Sequence, residues 1–145
     1  MSTISVEISS KPINLESFGP HNDNSTGAEV IFIGRVRDFN HGKKVSAVSY
    51  DIHEALAHTV IADICRLAQA EWQCSSVHVV ARHGKLSVGE ASIAIAVCTP
   101  HRNEAYQICR YVIEEIKVKA PIWKKEHYED GETEWLKGHA LCSHA

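Results

Sequence analysis

Nine consecutive residues, Ala91 to Thr99, read ASIAIAVCT and are apolar or small on both faces of an extended chain. A strand with no polar face belongs in the middle of a sheet, flanked on both edges and covered on both faces. The remaining segments therefore have to supply flanking strands and cover. Pro100 ends the run.

Two segments switch to a repeat of three to four residues and can provide that cover. In Ala55 to Trp72 the stripe is Leu56, Val60, Ile61, Ile64, Leu67, Ala68 and Trp72. In the second it is Ala105, Ile108, Cys109, Val112, Ile113 and Ile116, with Asn103 placed to cap the helix and Pro121 to stop it. Alternating stretches surround both. Ile4 to Ile8, Ala28 to Ile33, Val45 to Ile52, Val77 to Arg82 and Ile122 to Tyr128 read as strands, and Val45 to Ile52 is expected to pair with the strand before it. Gly34 ends the second of these, and the cation-bearing segment after it, RVRDFNHGKK, reads as a mobile loop. Asn14 to Gly27 reads as a loop or helix fragment, and His83 to Glu90 as a turn with two glycines. Ile122 to Tyr128, a turn at Gly131 and a return over Thr133 to Lys137 make a terminal hairpin. Strands in antiparallel-looking pairs around two helices, without regular βαβ alternation, give an α+β class. One domain over residues 1–145 is expected, with a flexible tail at 138–145.

Composition narrows the function classes. The formal net charge is −3, which argues against a general nucleic-acid binder. No stretch approaches the roughly 18 apolar residues of a membrane span, and residues 1–11 lack the basic start and apolar run of a secretory signal. The five cysteines have unrelated spacings with no C-x-x-C pair, and three lie in apolar runs as core residues would. A reduced, cytoplasmic protein is the expectation. Ten histidines include no spacing that matches a zinc site; His139, Cys142 and His144 in the tail are at most an incidental metal site. Neither a metal nor a cofactor is expected.

Although the average charge is mildly acidic, basic residues collect in Arg35 to Lys44, at His101-Arg102 and in Lys117 to Lys125. Clustered cations on such a background suggest a site for an anionic ligand. In the run IKVKAPIWKKE, Lys117 falls in the last turn of a helix and Lys124 opens a strand beyond a proline corner. Ammonium groups brought close together depress each other's pKa, and a lysine so tuned can serve as nucleophile or general base. The plainer alternative is a helix C-terminus complementing its dipole beside a solvated strand, and pattern alone favours it. TPHRN sits at a strand exit and a helix start, where free N–H groups and an arginine fork suit phosphate; a surface His-Arg pair fits equally well. In GRVR, alternation puts Arg35 and Arg37 on one side if the strand continues; by itself this is more simply a solvated strand end.

Taken together, GRVRDFN after a strand, TPHRNEA before a helix and IKVKAPIWKKE resemble the molybdopterin synthase catalytic (large) subunit family, MoaE, in type, order and separation. The likeness extends from about Gly27 to Trp135. It implies an α/β hammerhead-type domain with antiparallel sheets, two long helices and a C-terminal hairpin, dimerised through the large subunits within a heterotetramer. It implies an enzyme of molybdenum cofactor biosynthesis, a sulfurtransferase. The sulfur would come from the C-terminal Gly-Gly thiocarboxylate of a small ubiquitin-like carrier subunit and pass to cyclic pyranopterin monophosphate, forming the dithiolene of molybdopterin. Lys117 and Lys124 match the family's catalytic lysines, Lys117 for direct chemistry and Lys124 for positioning substrate or stabilising negative charge. His101 and Arg102 match its pterin-phosphate contacts. Arg35, Val36 and Arg37 match its anion-binding loop, and Lys125 and Glu126 complete the substrate-binding run. The alternative is a non-catalytic α+β module that binds a phosphorylated metabolite or an anionic peptide tail.

Overall fold

The computed structural model describes residues 2–16, 18, 24–72 and 75–136. Its elements are β1 (Thr3–Ser9), β2 (Ala28–Arg35), β3 (Phe39–Asn40), β4 (Lys43–Ile52), α1 (Glu54–Glu71), β5 (Ser76–Arg82), β6 (Gly84–Ser87), β7 (Ala91–Thr99), α2 (Arg102–Lys119), β8 (Ile122–Tyr128) and β9 (Thr133–Trp135). The class is α+β. One sheet runs β1-β5-β7-β2; the other runs β3-β4-β8-β9, with β6 also on β4.

The all-apolar strand is where its pattern required. β7 is buried along its whole length and lies antiparallel to β5 on one side and β2 on the other. Ala57, Ile61, Ile64 and Ala68 of α1 and Ala105, Ile108, Val112 and Ile116 of α2 pack into the main core with Ile93, Ile95 and Val97. The alternate residues Ala94 and Ala96 meet Phe18, with Ile13 and Leu15 beside it. Burying each of the larger aliphatic side chains contributes about 1.5–3 kcal/mol, so β7 anchors the molecule. Cys65, Cys98 and Cys109 are buried free thiols, and burial pushes Cys65 up to about 12 and Cys98 and Cys109 up to about 11.

Several expectations change. β4 does not pair with β2. A register shift between Gly34 and Arg35 ends β2, and the chain crosses to found the second sheet, where β4 pairs with β3, β6 and β8. The segment read as a mobile loop is largely a tight hairpin. His41 and Gly42 both have positive φ (50° and 76°), the geometry of a two-residue turn whose twist matches its strands. The turn over His83 to Glu90 contains a strand, β6, short enough to escape detection by period, whose Leu86 is fully buried. β1 runs parallel to β5, the exception to antiparallel pairing among the described strands, and the long stretch between them supplies the crossover. His101, not Asn103, is the N-cap of α2. The tail at 138–145, with His139, Cys142 and His144, lies outside the described residues.

Candidate active site

The corner after α2 builds the site. Ala120 caps the helix by donating its N–H to the Ile116 carbonyl, and Pro121 turns the chain while its carbonyl accepts from His53 N–H at 3.2 Å. β8 then runs back against β4, with Ile122 opposite Ile52, Lys124 opposite Tyr50 and Glu126 opposite Val48. Alternation along β8 turns Ile122, Lys124, Glu126 and Tyr128 to one face and Trp123, Lys125 and His127 to the other.

Lys124 is therefore held inward, and its pKa falls below the ordinary lysine value. Burial is the largest cause; Arg37 and Lys117 push in the same direction, while the Glu126 carboxylate opposes them. These couplings place Arg37, Lys117, Lys124 and Glu126 in one electrostatic neighbourhood, three cations around one carboxylate. Glu126 is 3% exposed. Asn40 Nδ2 donates to both of its oxygens at 2.9 Å, and the Tyr128 hydroxyl donates to Oε1 at 2.9 Å. The same carboxylate raises the Tyr128 and Tyr50 hydroxyl pKa values, in each case after burial as the larger cause.

Arg37 reaches this place because Val36 is pinned. Val36 is buried, its N–H donates to the Glu90 carbonyl at 3.0 Å, and its carbonyl accepts from Gly89 N–H at 2.8 Å. Arg35 and Arg37 are exposed on either side of it, so the alternation survives although the strand stops at Arg35. Their roles nevertheless part: Arg35 Nη1 donates to the Gly89 carbonyl at 2.9 Å and buttresses the turn. Lys125 faces away from Lys124, with its ammonium 5.6 Å from the centre of the Trp135 ring.

His101 and Arg102 stand elsewhere. Both are exposed at the N-terminus of α2, where the His101 side chain makes no cap hydrogen bond and Glu104 stands in the first turn. Lys117 lies in the last turn of the same helix. At 1.5 Å per residue, Arg102 and Lys117 are separated by about 22 Å along the axis. Helical side chains lean toward the N-terminus, so Arg102 leans further away. Within one chain the basic clusters form two sites, at opposite ends of α2.

Sequence reasoning missed Asn40, Tyr50 and Tyr128. Each is one polar residue in an ordinary strand pattern, and its importance comes only from cross-strand register. Among the described residues no group of three or more His, Cys, Asp or Glu is placed to hold a metal. No described helix is long and apolar enough to cross a membrane.

Comparison with known proteins decides the family. The MoaE protein family model matches residues 8–119, including Arg35 to Arg37, His101-Arg102 and Lys117. The chain belongs to the MoaE family. The molybdopterin synthase catalytic subunit of Synechococcus elongatus is 41% identical over 139 residues, covering 94% of this chain and 84% of that one, and so extends the likeness past the corner to Lys124. The crystal structure of molybdopterin synthase from Staphylococcus aureus superposes with a TM-score of 0.84 at 35% identity, covering 92% of this chain and 96% of that one. A complex of subunits 1 and 2 of molybdopterin-converting factor from Helicobacter pylori shares the fold, with a TM-score of 0.72 at 20% identity over 96% and 92% of the two chains.

Proposed function

We propose that this MoaE-family chain is the sulfur-transferring catalytic subunit of a molybdopterin synthase, working in the cytoplasm with a small carrier subunit that ends in a Gly-Gly thiocarboxylate. The observation that carries this reading is the clustering of Arg37, Lys117 and Lys124 around the proline corner, with Lys124 desolvated and depressed. Both reactants are anions, a thiocarboxylate and a cyclic phosphate, and both gain from cations held in a dry setting before reaction begins. Lys117, half-buried at the helix end, activates or traps the carrier's acyl terminus. Lys124 holds the negative charge that develops as sulfur leaves the carrier. The buried free thiols fit a reducing compartment.

The separation along α2 supports a homodimer of large subunits within the heterotetramer. A pterin phosphate that needs both Lys124 and the His101-Arg102 end has to take the second from another copy, so each site is shared between two chains. The Helicobacter pylori complex, in which a protein of this fold is joined to a second subunit, supports a small-subunit partner.

Reconstituted turnover tests the reading. Purified chain is mixed with thiocarboxylated carrier and cyclic pyranopterin monophosphate, and molybdopterin is followed as its fluorescent oxidised derivative. The native chain forms product. Lys117→Ala keeps its fold and still docks the carrier, but loses about 100- to 10,000-fold in rate. Tight carrier binding without product from the native chain would instead indicate an anion-binding module.

A further inference from the structure

Glu126 falls in the substrate-binding run of the sequence, yet its surroundings leave substrate little to hold. The side chain is 3% exposed, and both oxygens already accept hydrogen bonds from Asn40 and Tyr128. A carboxylate in such a place is costly unless it is paired and fully hydrogen-bonded, and the fold brings a donor from 86 positions away to satisfy it. Asn40 lies three residues beyond Arg37, so the same amide also ties the Arg37 segment to β8.

We propose that Glu126 is a positioning residue, a buried anion clamped by Asn40 and Tyr128 that retains and aims the Lys124 ammonium instead of touching substrate. The groups around Lys124 support this. On its own strand the next inward residue is Glu126; across on β4 is Tyr50; the segment after β2 brings Arg37, and the end of α2 brings Lys117. On β9, Glu134 lies opposite Glu126 and meets the Tyr128 hydroxyl at 3.4 Å. Burial, Arg37 and Lys117 drive Lys124 toward its neutral form, and Glu126 pulls the other way. Without the carboxylate the remaining influences act unopposed. What the ammonium does there rests on the sulfur-transfer reading; how it titrates does not.

The test reads Lys124 directly in the full chain. Trace acetic anhydride, which does not itself ionise, acetylates only neutral amines, so peptide mass spectrometry across a pH series gives the labelling midpoint at Lys124, with the other lysines of the same digest as controls. In Glu126→Gln the Lys124 midpoint falls by about one pH unit. An unchanged midpoint overturns the proposal. Should Glu126→Gln not fold, the double variant Asn40→Leu/Glu126→Met removes the charge together with its Asn40 donor, while the Tyr128 hydroxyl keeps Glu134 as an acceptor at 3.4 Å. The same fall is expected there, and an unchanged midpoint is equally fatal. In the turnover assay Glu126→Gln loses kcat at unchanged KM for the pterin, whereas a raised KM at unchanged kcat would make Glu126 a substrate contact. If the native chain gives no product, the functional reading fails while the labelling result still stands or falls alone.

Discussion

Lys124 sits where burial and two neighbouring cations all favour the neutral amine, and only Glu126 resists. If its task is to hold negative charge, the enzyme needs the protonated form. Activity is then full below the Lys124 pKa and is lost as pH rises through it, so the alkaline limb lies below the ordinary lysine range. Arginine keeps a cation but does not deprotonate in that range. Lys124→Arg should therefore lose the alkaline limb and stay within about ten-fold of native turnover, while Lys124→Met falls about 100-fold or more. A pH–rate profile of the three proteins checks this, and an unaltered limb in Lys124→Arg would move the titration to another residue. At this scale the sequence was only partly legible. The two lysines stood out through the family-like run around Ala120-Pro121, whereas pattern alone favoured a helix end beside a solvated strand. Asn40 and Tyr128 did not, since nothing local distinguishes a polar strand residue whose partner arrives from another strand.

The elements carry the site through two supports that periodicity does not reveal. The first is the turn at Gly89-Glu90, on which Val36 and Arg35 are anchored. Glu90 accepts from Ser87 N–H at 2.7 Å and from the buried Arg82 at 3.1 Å, and these contacts, the backbone one foremost, hold its carboxyl below the usual range. A depressed carboxylate contributes stability that is present above its unfolded pKa and lost as pH falls through the folded one. Glu90→Gln should cost about 1–2 kcal/mol at neutral pH, at the low end for such a pair because the Glu90 side chain is partly exposed, and the difference from native should shrink below about pH 4. Urea titrations at both pH values measure it. The second support is the close approach of β2 to the exit of β7. A Cβ at Gly27 would lie 2.1 Å from the Pro100 carbonyl oxygen, while Gly27 N–H bonds the Thr99 carbonyl at 2.9 Å. Gly27→Ala should cost about 2–3 kcal/mol, seen as a lower Tm, and weaken precursor binding by displacing His101-Arg102. Long elements such as α1, α2 and β7 were readable because their patterns run for many residues. β6, the β3–β4 hairpin and the parallel β1–β5 pairing were not, since each is fixed by partners rather than by its own period.

At the scale of the whole molecule, α2 is both a rigid rod of the core and the ruler that divides the chemistry. The buried Ile108, Val112 and Ile116 fix it on the first sheet, so its two ends cannot approach. The motifs TPHRN and IKVKAPIWKKE were expected to converge on one site, but within one chain they do not, because residues 15 apart on a helix are necessarily distant. A site shared across a two-fold axis resolves this, since each α2 would then give its C-terminal end to one site and its N-terminal end to the other. Subunit mixing makes the idea decisive. On the proposed reading, Lys117→Ala and Arg102→Ala chains should each lose turnover when present alone. In a mixed dimer one site carries both defects and the other carries neither. Random mixing of equal amounts by denaturation and refolding makes half of the dimers mixed, with one intact site in each pair, so about a quarter of native turnover should return. Recovery near that level establishes sharing. No recovery, in a mixture shown by mass spectrometry to contain mixed dimers, would put both basic ends to work in separate events within one chain.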